Sequence, residues 1–556
     1  MLPLVVQVAL VLCLAALAAA QNTSALPTVD LGYEIYQANS LNATGAYYNF
    51  SNIRYAAPPL GNLRFAAPAP PAKNRTAIQT GSVGRICPQA DPAWLATAEV
   101  FVHDYTHGIP YNASDASASS NGSATSLPPQ DPRTTEDCLF LDVMVPQPIF
   151  EARNTSNSSG AAVLVWIYGG GYTSGDKGGV GNPAGLIARS EYGPNPGVIY
   201  VAMNYRLGAF GWLSGPTLQS NGTANAGLLD QRMALEWVQT NIHLFGGDPN
   251  RVTIFGESAG GGSVMHQITA YGGNKGAVPF QQALPQSPGF NQVPGSLQQE
   301  TVFQTFLSLL NVSSIQEARQ LPSATLITAN IEQVGLASSY GMFTYGPVVD
   351  GDFVPGLPGK LLLQGSFNKN LTIMVGHNSD EGLLFTDPAA TNDSSFAAYI
   401  QANFPDMSPS ILQYVTGTLY PSVFNGTYGY TDQYSRAALA VSEAIFTCNT
   451  YYLDRAFDNR TYAYIFSVPP GIHGSDTKYT YRNGKTSGVN GTIALALQDY
   501  ITSFAETGSP NRAGVPRFDL FGNGSQTMDL NITGIRETID PAANARCLWW
   551  QKALYY

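Results

Sequence analysis

The chain has 556 residues, long enough for several average domains, although large single enzymes reach this size. Hydrophobic residues make up 44% and charged residues only 12%, which excludes a highly charged disordered protein and permits a large core. The net charge is −11 and no Lys/Arg-rich run interrupts the sequence, so nucleic acid is excluded as an expected partner.

Residues 1–20, MLPLVVQVALVLCLAALAAA, carry no charged side chain and end in small residues just before Gln21. This reads as a cleaved secretory signal, with residues 21–556 as the mature chain. A transmembrane anchor is the rival reading, but the small-residue end is a cleavage feature and no later stretch resembles a span, so no stable membrane anchor is expected. N-x-S/T sequons recur from Asn22 to Asn531, which suits exposed loops of a secreted chain carrying N-glycans.

Further along, PAWLATAEVFVHDY (92–105) places Trp94, Leu95, Val100 and Phe101 at mixed helical spacing. It reads equally as a lid or as a packed surface helix. The stretch 111–132 is small, polar and Pro-bearing, as in a surface loop, so 92–132 together form a candidate lid region. Cys13 departs with the signal. Cys87, Cys138, Cys448 and Cys547 remain, an even number on an oxidising route. Three pairings are open, and we favour the sequential one, Cys87–Cys138 with Cys448–Cys547. A zinc site is disfavoured, since no C-x-x-C pair occurs and little histidine lies nearby.

Five runs read as buried strands: 161–168, 197–205, 252–255, 371–376 and 461–468. Residues 225–242 carry a helical period through Leu228, Leu229, Met233, Leu235 and Val238. The alternation predicts an α/β protein with a mainly parallel sheet, whose functional groups gather beyond the carboxyl ends of the strands.

The segments just past these strands carry the candidate chemistry. After 161–168 comes Gly169-Gly170-Gly171, where absent side chains let backbone N–H groups approach a substrate oxygen. After 252–255 comes Gly256-Glu257-Ser258-Ala259-Gly260, a G-x-S-x-G elbow that presents a serine on a sharp strand-to-helix turn. Gly170, Gly171 and Ala259 are thus candidate oxyanion donors and Ser258 the candidate nucleophile. After 371–376 come Asp380 and Glu381, and both qualify as the acid on chemistry alone.

After 461–468 comes His473, between Gly471 and Gly474. His103 and His107 fall in the candidate lid, His243 and His266 in or beside helices, and His377 before the acid. Only His473 completes the order serine, acid, histidine. Aromatic residues such as Phe343, Tyr345, Phe424 and Tyr428 are candidates to line a pocket. No motif calls for a metal or an organic cofactor.

Several stretches carry a resemblance along most of the mature chain: NIRYAAPPLGNLRFAAP (52–68), TEDCLFLDV (135–143), WIYGGGYTSG (166–175), NYRLGAFGWL (204–213), FGGDPNRVTIFGESAGG (245–261) and GHNSDEGLLF (376–385). With the CLWW end at Cys547, they resemble the type-B carboxylesterase/lipase family of the α/β-hydrolase fold. That family includes cholinesterases and secreted fungal lipases. PPGIHGSD (469–476) resembles the extracellular fungal branch.

The resemblance implies a Ser258–His473–Glu381 triad, since the family places its acid on the glutamate of a D-E-G motif. It supports both disulfides of the sequential pairing and an electrostatic role for Glu257. It also implies a central, mostly parallel sheet flanked by helices with lid or omega-loop insertions. Two departures stand out. Tyr168 replaces the histidine that many esterases carry before the glycines. No tryptophan stands shortly before Cys138, where cholinesterases hold choline, which argues against choline esters.

The expected activity is therefore secreted serine carboxylic-ester hydrolysis through an acyl-enzyme, with a small-molecule or lipid ester as substrate. Two alternatives stand beside it: a family member that binds without catalysis, and a hydrolase of amide bonds.

Overall fold

Strands buried on both faces need continuous apolar sequence, and two segments meet that demand without exception. Every residue of AAVLVWI (Ala161–Ile167) and of VIYVAM (Val198–Met203) is buried. They form the middle of the computed structural model, which describes residues 26–110, 130–155, 160–192 and 196–556. The expected signal at 1–20, most of the loop 111–132 and the sequons at Asn22, Asn112, Asn121 and Asn157 lie outside the described residues. No sequon asparagine among the described residues is buried.

The main sheet has 11 strands. In chain order they are β1 (Ser40–Asn42), β2 (Tyr47–Arg54), β3 (Phe140–Pro146), β4 (Ala161–Ile167), β5 (Val198–Met203) and β6 (Gly247–Glu257). The remainder are β7 (Gln282–Gln286), β8 (Thr372–Asn378), β9 (Tyr462–Phe466), β10 (Gln526–Asn531) and β11 (Gly534–Ile539). Their spatial order is β11-β10-β9-β8-β7-β6-β4-β5-β3-β2-β1. The run from β10 to β5 is parallel throughout, while β11 and the β3-β2-β1 margin pair antiparallel. Each of the five expected strands forms, with ends shifted by a few residues; the elbow strand β6 begins earlier, at Gly247. Strand β7 is not among the strands the sequence predicts; it carries Pro285, and proline ordinarily argues against an interior strand.

Helices cover the sheet. The expected helix over 225–242 forms as α2 (Ala226–Asn241), preceded by α1 (Trp94–His107) and succeeded by α3 (Ala259–Thr269). Helix α1 ends where Gly108 takes a left-handed conformation at φ 65°, a common helix stop. It packs as a surface helix. Trp94 is buried, its Nε1 donates to the Met342 carbonyl at 2.8 Å, and its ring lies 5.6 Å from Phe343 and 5.9 Å from Phe385. Phe101 is buried against Tyr434, whereas Leu95 and Val100 are half-buried.

Two disulfides form in the sequential pairing, Cys87–Cys138 and Cys448–Cys547. They close loops of 51 and 99 residues, which in a chain-entropy picture stabilise by about 4 to 5 kcal/mol each. Among the described residues no helix is long and apolar enough to cross a membrane.

Candidate active site

The turn after β6 is compressed between backbones. A Cβ on Gly256 would stand 2.4 Å from the Ile167 carbonyl oxygen, and one on Gly260 would stand 2.0 Å from the same atom. Only glycine fits at either flank, so the chain reverses tightly and carries Ser258 at φ 60°, ψ −124°. A non-glycine residue at positive φ is strained, and here the packed glycines hold it there. The turn also aims the side chain outward: Ser258 is the one part-exposed residue between Val252 and Ala270. Helix α3 starts at the next residue, so its N-terminus points positive potential at this spot.

Ser258 lines a narrow cavity of about 20 Å³ together with Gly171 and Ala259, two of the three candidate oxyanion donors. Gly170 does not line it; its carbonyl closes the turn by accepting from Thr173 and Ser174 at 3.1 and 3.0 Å. Gly171 sits at φ 60° beneath the Phe343 ring, which a Cβ would strike at 2.1 Å. Phe343 and Tyr345 line the cavity, as do Phe385 and Phe446. Phe424 and Tyr428 do not: each lies against Tyr430, and Phe424 is exposed. Tyr168 is buried away from the cavity, stacked on Tyr205 at 4.4 Å, with each hydroxyl donating to the other's carbonyl.

The loops after β8 and β9 are zipped together. Asp380 N–H donates to the Gly471 carbonyl at 2.9 Å, and Ser379 N–H to the Phe466 carbonyl at 3.1 Å. This brings His473 Nδ1 within 2.5 Å of Glu381 Oε2. A carboxylate accepts only, so Nδ1 carries the proton. The two acids compared from sequence separate here: Glu381 is fully buried, while Asp380 is exposed and takes the Ser379 hydroxyl. The other Glu381 oxygen accepts from the Ser287 hydroxyl at 2.5 Å and the Asn378 N–H at 2.6 Å. Burial opposes its charge, but His473 and these two donors hold the carboxyl below its ordinary range.

The His473 ring lies between Phe385 and Phe446, with centroids at 5.0 and 4.5 Å. Its Nε2 is buried and has no hydrogen-bond partner. The atom facing it is Glu257 Oε1, 3.4 Å away and also unpartnered. Burial pushes the Glu257 carboxyl up to about 8, against the pull of His473. Burial disfavours charge on His473 too, but the carboxylates of Glu257 and Glu381 outweigh it and raise the imidazole to about 9. Each group thus favours the charged form of the other.

The remaining histidines take no part. His103 and His107 stack on each other on α1, and His243 is exposed. His266 is buried and bonded to the Gly262 carbonyl, and burial drops it to about 4. His377 is buried with Nδ1 on the Asn378 carbonyl.

The sequence reading missed Ser287 and Asn378 as partners of the acid, and Asp476, which takes the Tyr464 hydroxyl at 2.7 Å and Asn378 Nδ2 at 3.3 Å. Ser287 does stand just past a strand end, as the other site residues do, but that strand, β7, is not one the sequence predicts. Among the described residues no group of three or more His, Cys, Asp or Glu is placed to hold a metal ion.

A parallel sheet carrying a serine elbow at one strand end and a histidine–glutamate pair at two others defines an α/β-hydrolase. The comparisons with known proteins agree. A family model described as the carboxylesterase family matches residues 36–548. A carboxylesterase, patB, of Aspergillus clavatus is 43% identical over 95% of this chain and 96% of its own. A secreted lipase of Arthroderma benhamiae is 33% identical over 68% of this chain and 72% of its own. The crystal structure of Aspergillus niger EstA superposes with a TM-score of 0.78 at 26% identity, covering 95% of this chain and 98% of that one. The chain belongs to the carboxylesterase family and is a carboxylic ester hydrolase.

Proposed function

We propose that this protein is a secreted serine carboxylesterase or lipase that works through an acyl-enzyme. One observation carries the reading: the strained, part-exposed Ser258 opens on the same cavity as Gly171 and Ala259, while His473 is held by Glu381 with Nε2 unpartnered. Catalytic hydrogen bonds are often loose before substrate arrives, so the unmade Ser258–His473 bond is compatible with a base awaiting its substrate.

In this reading His473 Nε2 takes the Ser258 proton as Oγ attacks the ester carbonyl carbon. The carbonyl oxygen becomes an oxyanion, held by the N–H groups of Gly171 and Ala259, which share the cavity with Ser258. The bond to the alcohol oxygen then breaks, and the alcohol leaves with the proton from Nε2. Water repeats the sequence on the acyl-enzyme, releasing the acid and restoring Ser258. Glu381 holds the tautomer, and Glu257 supports the imidazolium.

We further read residues 21–556 as one hydrolase domain behind a secretory signal at 1–20. Export and N-glycosylation are supported by the secreted lipases among the relatives and by the accessibility of the described sequons.

The test is hydrolysis of p-nitrophenyl esters from acetate to palmitate by the purified protein beside Ser258→Ala. A fall of roughly 10³-fold or more in kcat for the variant supports the assignment. Equal rates would overturn it. The chain length turned over fastest then separates esterase from lipase.

A further inference from the structure

Helix α1 turns two faces to different surroundings. Trp94, Ala98, Phe101 and Val102 are buried, while His103 and His107 are exposed. The two histidines stand four residues apart, one turn above the other on the same helix face. Their rings stack with centroids at 4.5 Å and 25° between the planes. Of the six histidines in the chain only His243 is also exposed, and it stands alone in a separate helical turn, Ile242–Phe245.

The hydrogen bonds decide which ring nitrogens stay available. His107 Nδ1 lies 2.7 Å from the His103 carbonyl, and His103 Nδ1 lies 3.1 Å from the Asp104 carboxylate. Carbonyl and carboxylate oxygens only accept, so in each neutral ring Nδ1 carries the proton and Nε2 keeps its lone pair. The Thr106 hydroxyl, 3.3 Å from His107 Nδ1, itself donates to the Val102 carbonyl at 2.7 Å. No hydrogen bond from a described residue occupies either Nε2.

This arrangement prepares an imidazole to ligate a metal. The outer nitrogen is free, and an inner N–H held by an oxygen fixes the tautomer and makes the ring a better ligand. Two histidines at this spacing on one helix face can reach a single ion. The second side-chain torsion of histidine is broad and both rings are exposed, so leaving the stack to ligate costs little. Imidazole suits copper, nickel and zinc, whereas magnesium and calcium take oxygen ligands. No third His, Cys, Asp or Glu completes the set among the described residues, so water fills the remaining positions. Asp104 and the exposed Glu99, one turn before His103, add negative charge that draws a cation.

We propose that His103 and His107 form a two-ligand surface site for a divalent transition-metal ion of the copper, nickel and zinc class. The ion ties the last turn of α1 to the one before it, just ahead of the stop at Gly108. The same helix sets Trp94 against Phe343 and Phe385, which line the Ser258 cavity, so the site lies on the element that backs the active-site wall.

The test titrates the full chain, free of any histidine tag, with copper chloride or zinc chloride alone in a weakly coordinating buffer at neutral pH. Calorimetry reads the binding. One ion per chain is expected, with Cu²⁺ held more tightly than Zn²⁺. His103→Gln and His107→Gln each remove one of the two ligands. Each should weaken binding by about 10²-fold, because the second contact is no longer intramolecular. His243→Gln, at an exposed but solitary histidine, should bind as the wild type does. Melting temperature supplies a second readout. The ion should raise it in the wild type and in His243→Gln but not in the other two variants, since binding to the folded helix alone stabilises it. All three changes are at exposed side chains, and equal melting in EDTA shows that folding is intact. The site is overturned if the wild type takes up neither ion, or if His103→Gln or His107→Gln binds as tightly as the wild type.

Discussion

Glu257 Oε1 lies 3.4 Å from Nε2 of His473, the ring nitrogen turned away from Glu381. A second carboxyl thus faces the atom that exchanges a proton with Ser258 in the proposed mechanism. Attraction to that carboxylate helps raise the imidazole. As the proposed base, His473 works only when neutral, so activity is expected to fall as pH drops through its pKa.

Glu257→Gln should therefore move the acidic limb of the kcat/KM profile to lower pH, because the amide no longer stabilises the imidazolium. The profile measured on p-nitrophenyl acetate checks this. An unmoved limb would mean that Glu257 does not act on His473.

Exchanging the two neighbouring acids should give opposite results. Glu381→Gln replaces a carboxylate that only accepts with a neutral amide that can also donate, so His473 loses its counter-charge and its fixed tautomer, and kcat is expected to fall by roughly 10²- to 10⁴-fold. Asp380→Asn keeps the backbone bond to Gly471 and should leave kcat close to wild type. Ser287→Ala, which removes one donor from Glu381 Oε1, should fall between them. Steady-state kinetics of the three variants decides the order.

The elbow glycines should be intolerant of even one methyl group. In Gly260→Ala the new Cβ would meet the Ile167 carbonyl oxygen at 2.0 Å, so backbone must move and Ser258 with it. A loss of about 10²-fold or more in kcat/KM is expected. Gly335→Ala, in helix α4 (Ser323–Ala337) with open space at its Cβ, should instead keep activity and stabilise by about 0.5 to 1 kcal/mol. Kinetics and thermal melting of the two alanine variants make the comparison.

Removing the longer disulfide should act on stability before chemistry. The Cys448→Ser/Cys547→Ser double variant loses a constraint on a 99-residue loop. The expected destabilisation is up to about 4 to 5 kcal/mol. It is read as a lower melting temperature, or as faster inactivation on heating, with kcat at low temperature little changed.

The sequence by itself determined whatever rests on local pattern. Continuous apolar runs of strand length read as buried strands, and glycines around Ser258 and at 169–171 suit tight backbone approaches, so the sheet and the candidate elbow are legible from a few residues each. The order of serine, acid and histidine narrowed six histidines to one candidate. Tertiary structure decided what depends on direction and distance. Asp380 and Glu381 are adjacent and chemically alike; the pairing of two loops buries one and exposes the other. Ser287 reaches Glu381 from 94 residues away, and Glu257 meets His473 across the sheet's end. These relations arise from packing between distant segments, where hydrogen bonding and desolvation depend on which surfaces meet, and local sequence does not encode that.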